Sequence, residues 1–212
     1  LIKIELKGPV WLASDVHLGQ HTTETAQAFR DFLKLAASEA SALLLPGDIF
    51  DAWIGDDVAV VAPPWLAQDL MALKACAARI PVWLGRGNRD FLMGGALAAG
   101  LGAQMLPEQV LVNVDGHTML LSHGDEYCTD DVAYQQFRAM VRNPEWQASF
   151  LAKSIPERLT LAAQARGESM VANQTKSSEI MDVNADAVAE AIRKTGVSMV
   201  VHGHTHRPRR NV

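Results

Sequence analysis

The sequence predicts an α/β domain interrupted by an all-helical insertion. Three observations carry that reading: short apolar runs alternate with helical patterns through the first half, turn residues follow each apolar run, and the strand pattern disappears over residues 129–182. The 212 residues are 49% hydrophobic and 20% charged, enough apolar material for one buried core carrying an insertion of modest size.

Taken in order, Val10-Trp11-Leu12-Ala13 reads as a buried strand ending at Ser14-Asp15. Residues 25–39 carry Ala28, Phe29, Phe32, Leu33, Leu35 and Ala36 at helical spacing, and Ala42-Leu43-Leu44-Leu45 is a second strand stopped by Pro46-Gly47. Residues 65–79 form another amphipathic helix and Val82-Trp83-Leu84 a third strand. Residues 110–114 and 119–122 pair as a hairpin turning at Asp115-Gly116. Helices then start near Thr129-Asp130-Asp131, Asn143-Pro144-Glu145 and Ile155-Pro156-Glu157, where capping residues precede or open each one. Residues 185–194 read as a helix closed by Gly196, and residues 197–201 as a strand entering His202-Gly203-His204-Thr205-His206. The expected organisation is a core of residues 1–128 and 183–212 and a helical lid of residues 129–182.

Composition removes several function classes. Nineteen Lys and Arg against 24 Asp and Glu give a formal charge of −5, which argues against a nucleic-acid partner. Cys76 and Cys128 have no C-x-x-C companion, so neither a disulfide framework nor a thiolate metal site is expected, and a reducing cytosol is the natural setting. The first twelve residues contain Lys3, Glu5, Lys7 and Pro9 rather than the apolar run of a secretory signal. The longest apolar run, near residues 58–66, is cut by Pro63 and Pro64, so membrane contact is expected to be peripheral. No obligate protein partner is evident.

Five short motifs each place a metal-ligand type just after an apolar run: Asp15-Val16-His17, Gly47-Asp48, Gly87-Asn88, His123-Gly124-Asp125 and Gly203-His204-Thr205-His206. The carboxyl ends of strands in an α/β sheet converge on one crevice, so residues remote in sequence can meet there. A single Gly-Asp is commonly just a turn. The joint pattern is different, because four of the seven histidines, two Asp and one Asn all fall at strand ends. Seven nitrogen and oxygen donors without a thiolate suit two ions such as Mn²⁺, Fe²⁺ or Zn²⁺, whose chemistry is hydrolysis at phosphorus. A P-loop, a G-x-G-x-x-G turn and a G-x-S-x-G elbow are all absent from the sequence.

In this order the D-x-H, G-D, G-N-[HR], H-G-D and G-H-T-H blocks resemble the calcineurin-like metallophosphoesterases, over residues 15–206. The resemblance implies a four-layered α/β/β/α sandwich with Asp15, His17, Asp48 and His206 on one ion, Asp48, Asn88, His123 and His204 on the other, and His202 outside the ligand set. A narrower pattern lies in Gly47-Asp48-Ile49-Phe50-Asp51-Ala52-Trp53-Ile54-Gly55-Asp56-Asp57, Gly87-Asn88-Arg89-Asp90-Phe91-Leu92 and Tyr127-Cys128-Thr129-Asp130-Asp131. With Tyr134-Gln135-Gln136-Phe137-Arg138, Ile180-Met181-Asp182-Val183-Asn184 and His204-Thr205-His206-Arg207-Pro208, it resembles the UDP-2,3-diacylglucosamine hydrolase family of lipid A biosynthesis.

That resemblance implies Mn²⁺-dependent cleavage of the substrate's pyrophosphate to UMP and 2,3-diacylglucosamine 1-phosphate, a hydroxide bridging the two ions attacking the α-phosphorus. It makes Asp48, Asn88, Arg89 and His123 the catalytic set and Asn88, Arg89, Asp131, Ser169, Asn173, Lys176 and His204 the substrate contacts, with Tyr134 and Asp130 as weaker candidates. It also implies peripheral attachment to the anionic cytoplasmic face of the bacterial inner membrane. Arg89 stands where related enzymes usually carry a His acid, and a guanidinium can grip a diphosphate but not give up a proton. The competing reading of Arg89 is a surface pair with Asp90. Trp146, Phe150, Leu151, Ile155, Leu159 and Leu161 are candidates for an acyl-chain groove or for ordinary helix packing, and Lys153, Arg158 and Arg166 for lipid headgroups. Two departures from the narrower pattern are Arg86, where His is usual, and a chain ending six residues after His206, where further strands are expected. A different phosphodiesterase or phosphatase, or a scaffold without catalysis, remains an alternative.

Overall fold

The computed structural model describes residues 1–175, 180 and 182–207, with the backbone alone at residues 170 and 172–175. Two four-stranded sheets form the centre. In one, β2 (Val10–Leu12), β3 (Ala42–Leu45), β4 (Val82–Leu84) and β5 (Gln104–Met105) lie parallel and in chain order. In the other the order is β1 (Lys3–Leu6), β6 (Gln109–Val114), β7 (His117–Ser122) and β8 (Val200–Val201), where β6 and β7 are the expected antiparallel hairpin and β1 and β8 join in parallel.

All four residues of β3 are buried, as a parallel strand covered on both faces requires. Leu43 and Leu45 pack into a core with Phe29, Leu33 and Ala36 of α1 (Thr23–Glu39) and Leu66, Leu70 and Leu73 of α2 (Pro64–Ala77). Ala42 and Leu44 point the other way and meet Val110, Val112, Met119 and Leu121 of the second sheet. The period-2 alternation of one strand thus stacks helices, sheet and sheet in order. The buried stripe of α1 is Ala26, Phe29, Leu33 and Ala36. Leu35, expected on that face, is 48% exposed, because an i, i+3, i+7 stripe leaves it on the opposite side of the cylinder.

The stretch after β7 is helical as expected: α4 (Val132–Val141), α5 (Pro144–Leu151) and α6 (Ile155–Thr175), with no strand among its described residues. Asp131 caps α4 by accepting the Tyr134 N–H at 3.0 Å, and Asn143 caps α5 by accepting from Glu145 and Trp146 at 2.8 and 3.2 Å. Trp146 stacks on Phe150 with ring centres 5.2 Å apart, and Phe150, Trp146 and Ile155 pack into the main core. These three serve packing rather than a free groove, whereas Leu151, Leu159 and Leu161 are exposed. α7 (Ala185–Thr195), capped by Asn184 and closed by Gly196 in the left-handed region, then leads to β8. Among the described residues no helix is long and apolar enough to cross a membrane.

Arg158, expected at lipid headgroups, is instead fully buried. Its guanidinium bonds the Ile54 carbonyl at 2.6 Å and pairs with Asp57 in a short 3₁₀ turn (Asp56–Ala59), fastening α6 to the core. Asp57→Ala is expected to destabilise the fold by about 2–3 kcal/mol, since it leaves a buried guanidinium without its counter-charge. Arg158→Met, which removes the charge and keeps the packing, is expected to cost less. Urea denaturation of the two variants checks that order. The same pair holds the Asp57 carboxyl below its ordinary range, so its contribution is present above the unfolded-state value and is lost as pH falls through the folded one.

Candidate metal centre

The loops leaving β2, β3, β4, β7 and β8 meet at one end of the sandwich. The first two run side by side beyond their strands: Asp15 N–H donates to Gly47 O at 3.2 Å, His17 N–H to Asp48 O at 3.0 Å and Leu18 N–H to Ile49 O at 2.8 Å. The loop after β8 is tied in through Gly203 N–H to His123 O at 2.8 Å, and His204 N–H to both Asp15 oxygens at 3.1 and 3.0 Å.

All seven expected ligands are brought together, and their contacts close into a ring. His17 Nε2 lies 3.0 Å from His206 Nε2, and His206 Nε2 lies 3.5 Å from Asp15 Oδ1. Asp15 holds the His204 backbone, and His204 Nδ1 is 2.9 Å from Asn88 Oδ1. Asn88 Oδ1 is 3.1 Å from His123 Nε2, which is 3.8 Å from Asp48 Oδ2, and that oxygen is 3.9 Å from His17 Nδ1. Asp15, His17 and His206 form one compact donor group and Asp15, Asp48 and His123 another.

This arrangement is costly to fold. Among the described non-glycine residues with positive φ, five are Asp15, His17, Asp48, His204 and His206, and the sixth is Asp115 in the hairpin turn. Each such residue carries of order 1 kcal/mol or more of backbone strain, which persists only where the surroundings over-determine it. Strain on five ring members and one tight turn marks the ring as the place the fold was shaped to build. Glycine is required beside it: a Cβ on Gly87 would run into Asp48, and one on Gly203 into Asp15 and Ser14.

The electrostatics suit cation binding. Burial lowers His17 and His123 to about 4 and also lowers His204, so these imidazoles are neutral near pH 7 and keep a lone pair for a metal. Burial, reinforced by Asp90, pushes Asp48 well above the ordinary carboxylate range. His17 Nδ1 is buried without a hydrogen-bond partner. The buried Asp48 and the part-buried Asp15, set among neutral imidazoles that each keep a lone pair, are a donor set that divalent ions stabilise, and the residues fit such ions.

The other expected residues divide. Arg89 does not pair with Asp90: its guanidinium reaches toward Asp51 at 3.9 Å, while its backbone N–H donates to Asp48 Oδ1 at 2.8 Å. Arg166 of α6 also pairs with Asp51. Asp131 is buried at the start of α4, Asp130 accepts both bonds from Asn184 Nδ2 at 3.0 Å, and Ser169 is exposed on α6. The Asn173 side chain and Lys176 lie outside the described residues. His202 packs its ring 6.1 Å from Tyr127, off the donor ring. Arg86 bonds the Met93 carbonyl at 2.5 Å.

Two buried carboxylates escaped the sequence reading of the site. Asp125 accepts from Tyr134 OH at 2.6 Å and Arg138 Nε at 2.9 Å, and the Tyr134 ring stacks 5.9 Å from His204, so α4 is braced against the centre. Asp90 lies within the Asn88-Arg89 motif and is fully buried. Both sit inside the blocks that gave ligands, but nothing in a linear motif reports which carboxylate turns inward.

Residues 8–208 match the family model described as calcineurin-like phosphoesterase. The chain belongs to that family. Among similar curated proteins, a UDP-2,3-diacylglucosamine hydrolase of Bordetella pertussis is 68% identical over 210 residues, 99% of this chain and 81% of that protein. Hydrolases of the same name from Chromobacterium violaceum and Cellvibrio japonicus are 45% and 42% identical, covering 92% and 93% of this chain and 81% and 82% of theirs. The calcineurin-like phosphoesterase fold accounts for the two-sheet sandwich and for the placement of the ring at its strand ends.

Proposed function

We propose that this chain hydrolyses the pyrophosphate bond of UDP-2,3-diacylglucosamine, giving UMP and 2,3-diacylglucosamine 1-phosphate. The observation that carries the reading is a closed ring of nitrogen and oxygen donors in a chain 68% identical to a hydrolase of that name. Asp15, His17, Asp48 and His206 would hold one divalent ion, and Asp48, Asn88, His123 and His204 a second. Mn²⁺ suits this mixed imidazole and carboxylate set. When bound, such a pair activates water and neutralises charge on the phosphoryl oxygens.

The chain's own residues supply the rest. His17, His123 and His204, neutral at pH 7 with His123 buried and the other two part-buried, keep the centre ready to take up metal. Arg89, anchored at its backbone by Asp48 and facing Asp51, has a partly exposed guanidinium that can turn its paired N–H groups onto a diphosphate. A sugar phosphate departs as an anion and needs no proton, so a charge clamp serves better than an acid at this position. The exposed Phe137, Met140, Leu159 and Leu161 on α4 and α6 support a helical lid for acyl chains, working peripherally at the cytoplasmic face of the inner membrane.

Turnover of UDP-2,3-diacylglucosamine in ¹⁸O-water, followed by mass spectrometry, tests the reading. Label is expected in UMP. Label only in the sugar phosphate would reverse the polarity of attack. No cleavage of this substrate alongside rapid cleavage of bis-p-nitrophenyl phosphate would make the chain a general phosphodiesterase.

A further inference from the structure

Among the described residues Asp90 is the least exposed charged side chain, at 0%, and it is not a member of the donor ring. Its carboxylate accepts four backbone N–H groups from two loops. Oδ1 takes Gly87 at 2.7 Å and Asp48 at 3.1 Å; Oδ2 takes Ile49 at 2.8 Å and Phe50 at 3.3 Å. No side-chain cation is hydrogen-bonded to it among the described residues. Successive inward amides on a turn with positive φ, here Gly47 at 126° and Asp48 at 53°, form a concave anion site. The anion filling it belongs to the protein itself.

The tie is reciprocal. Asp90 on the loop after β4 holds the Asp48 amide, and Asp48 Oδ1 holds the Arg89 amide at 2.8 Å. With Oδ1 committed, only Oδ2 of Asp48 faces His17 and His123. The carboxylate shared by both proposed ion positions is therefore aimed by a bond from its neighbour's backbone, and that neighbour is set by Asp90.

We propose that Asp90 is a positioning residue: it locks the strained Gly47-Asp48 turn against the Asn88-Arg89 loop so that Asp48 presents one oxygen to the metal ions. This rests on the two-ion reading above. An amide cannot replace the carboxylate, because Asn offers one acceptor oxygen and turns an NH₂ group toward amides that are themselves donors. Residues that orient a ligand without touching the metal commonly change metal affinity by about 10–100-fold.

The test is Mn²⁺ binding to metal-stripped protein, measured by competition with a chelating dye. Asp90→Asn is expected to weaken binding by about 10–100-fold while wild type and Asp57→Ala, a control for lost stability, bind alike. Should Asp90→Asn fail to fold, Asp90→Glu takes its place: it keeps the charge, displaces it by one methylene, and is expected to weaken binding in the same direction. Wild-type affinity in whichever variant folds overturns the proposal. Failure of wild type itself to bind Mn²⁺ would instead sink the two-ion reading on which it rests.

Discussion

Asp48→Asn is expected to lower kcat by at least about 10³-fold, equivalent to about 4 kcal/mol of barrier, while leaving the metal-free protein as stable as wild type or more so. The two halves of that expectation have one cause. Asp48 is 2% exposed, and burial with Asp90 nearby pushes its carboxyl far above the ordinary range. A raised carboxylate binds its proton more tightly folded than unfolded, so stability falls as pH climbs from the unfolded-state value to the folded one. Ionising this carboxyl inside the fold is a cost that bound metal relieves. Asn keeps the shape and an oxygen for the Arg89 N–H but removes the charge. A gain of about 1 kcal/mol would raise the melting temperature of the stripped protein by about 2–4 °C in a chain of this size. Calorimetry with and without Mn²⁺ should show the variant melting higher than wild type without metal, and gaining little when metal is added. A variant that loses both activity and stability in the stripped state would assign Asp48 to folding instead.

Gly87→Ala is expected to cut activity by about 10²-fold or more. A Cβ there would meet Asp48 Oδ1 and the Asp48 amide, both of which are held in place, so the carboxylate must move. Displacements of about 1 Å at a reacting centre have effects of that size. The paired control is Gly100→Ala in α3 (Gly95–Leu101), where a Cβ meets nothing within 4 Å. That change is expected to stabilise the helix by about 0.5–1 kcal/mol and to leave kcat untouched. Equal activity in both variants would mean that the close approach of the two loops does not matter.

The ring was readable because its members sit at the ends of apolar runs, and the strands that carry them, β2, β3 and β4 of the parallel sheet and β7 and β8 of the mixed one, end on the same side of the sandwich. Asp15, His17, Asp48, Asn88, His123, His204 and His206 stand out by that rule and their order, and it is the resemblance to the calcineurin-like blocks that sets His202 outside the ligand set. What sequence did not disclose was the direction of individual side chains. Arg158 has the charge of a headgroup contact but finds a carbonyl and Asp57 in the interior, and Arg89 turns to Asp51 rather than to its neighbour. Trp146 and Phe150 look the same in sequence whether they line a groove or stack in a core. Among the elements, β1 does carry a polar-apolar alternation in Lys3-Ile4-Glu5-Leu6, yet its parallel pairing with β6 joins residues over a hundred positions apart, which no local pattern encodes. β5 has two residues and α3 is a run of Gly, Ala and Leu, too short and too uniform to show a period.

In the proposed reading, seven side chains from five loops form one two-ion centre. Anomalous diffraction at the manganese edge from crystals soaked in Mn²⁺ tests it most directly. Two peaks are expected, one among Asp15, His17, Asp48 and His206 and the other among Asp48, Asn88, His123 and His204, with Asp48 touching both. A single peak, or peaks that leave Asp48 without a metal contact, would contradict the account.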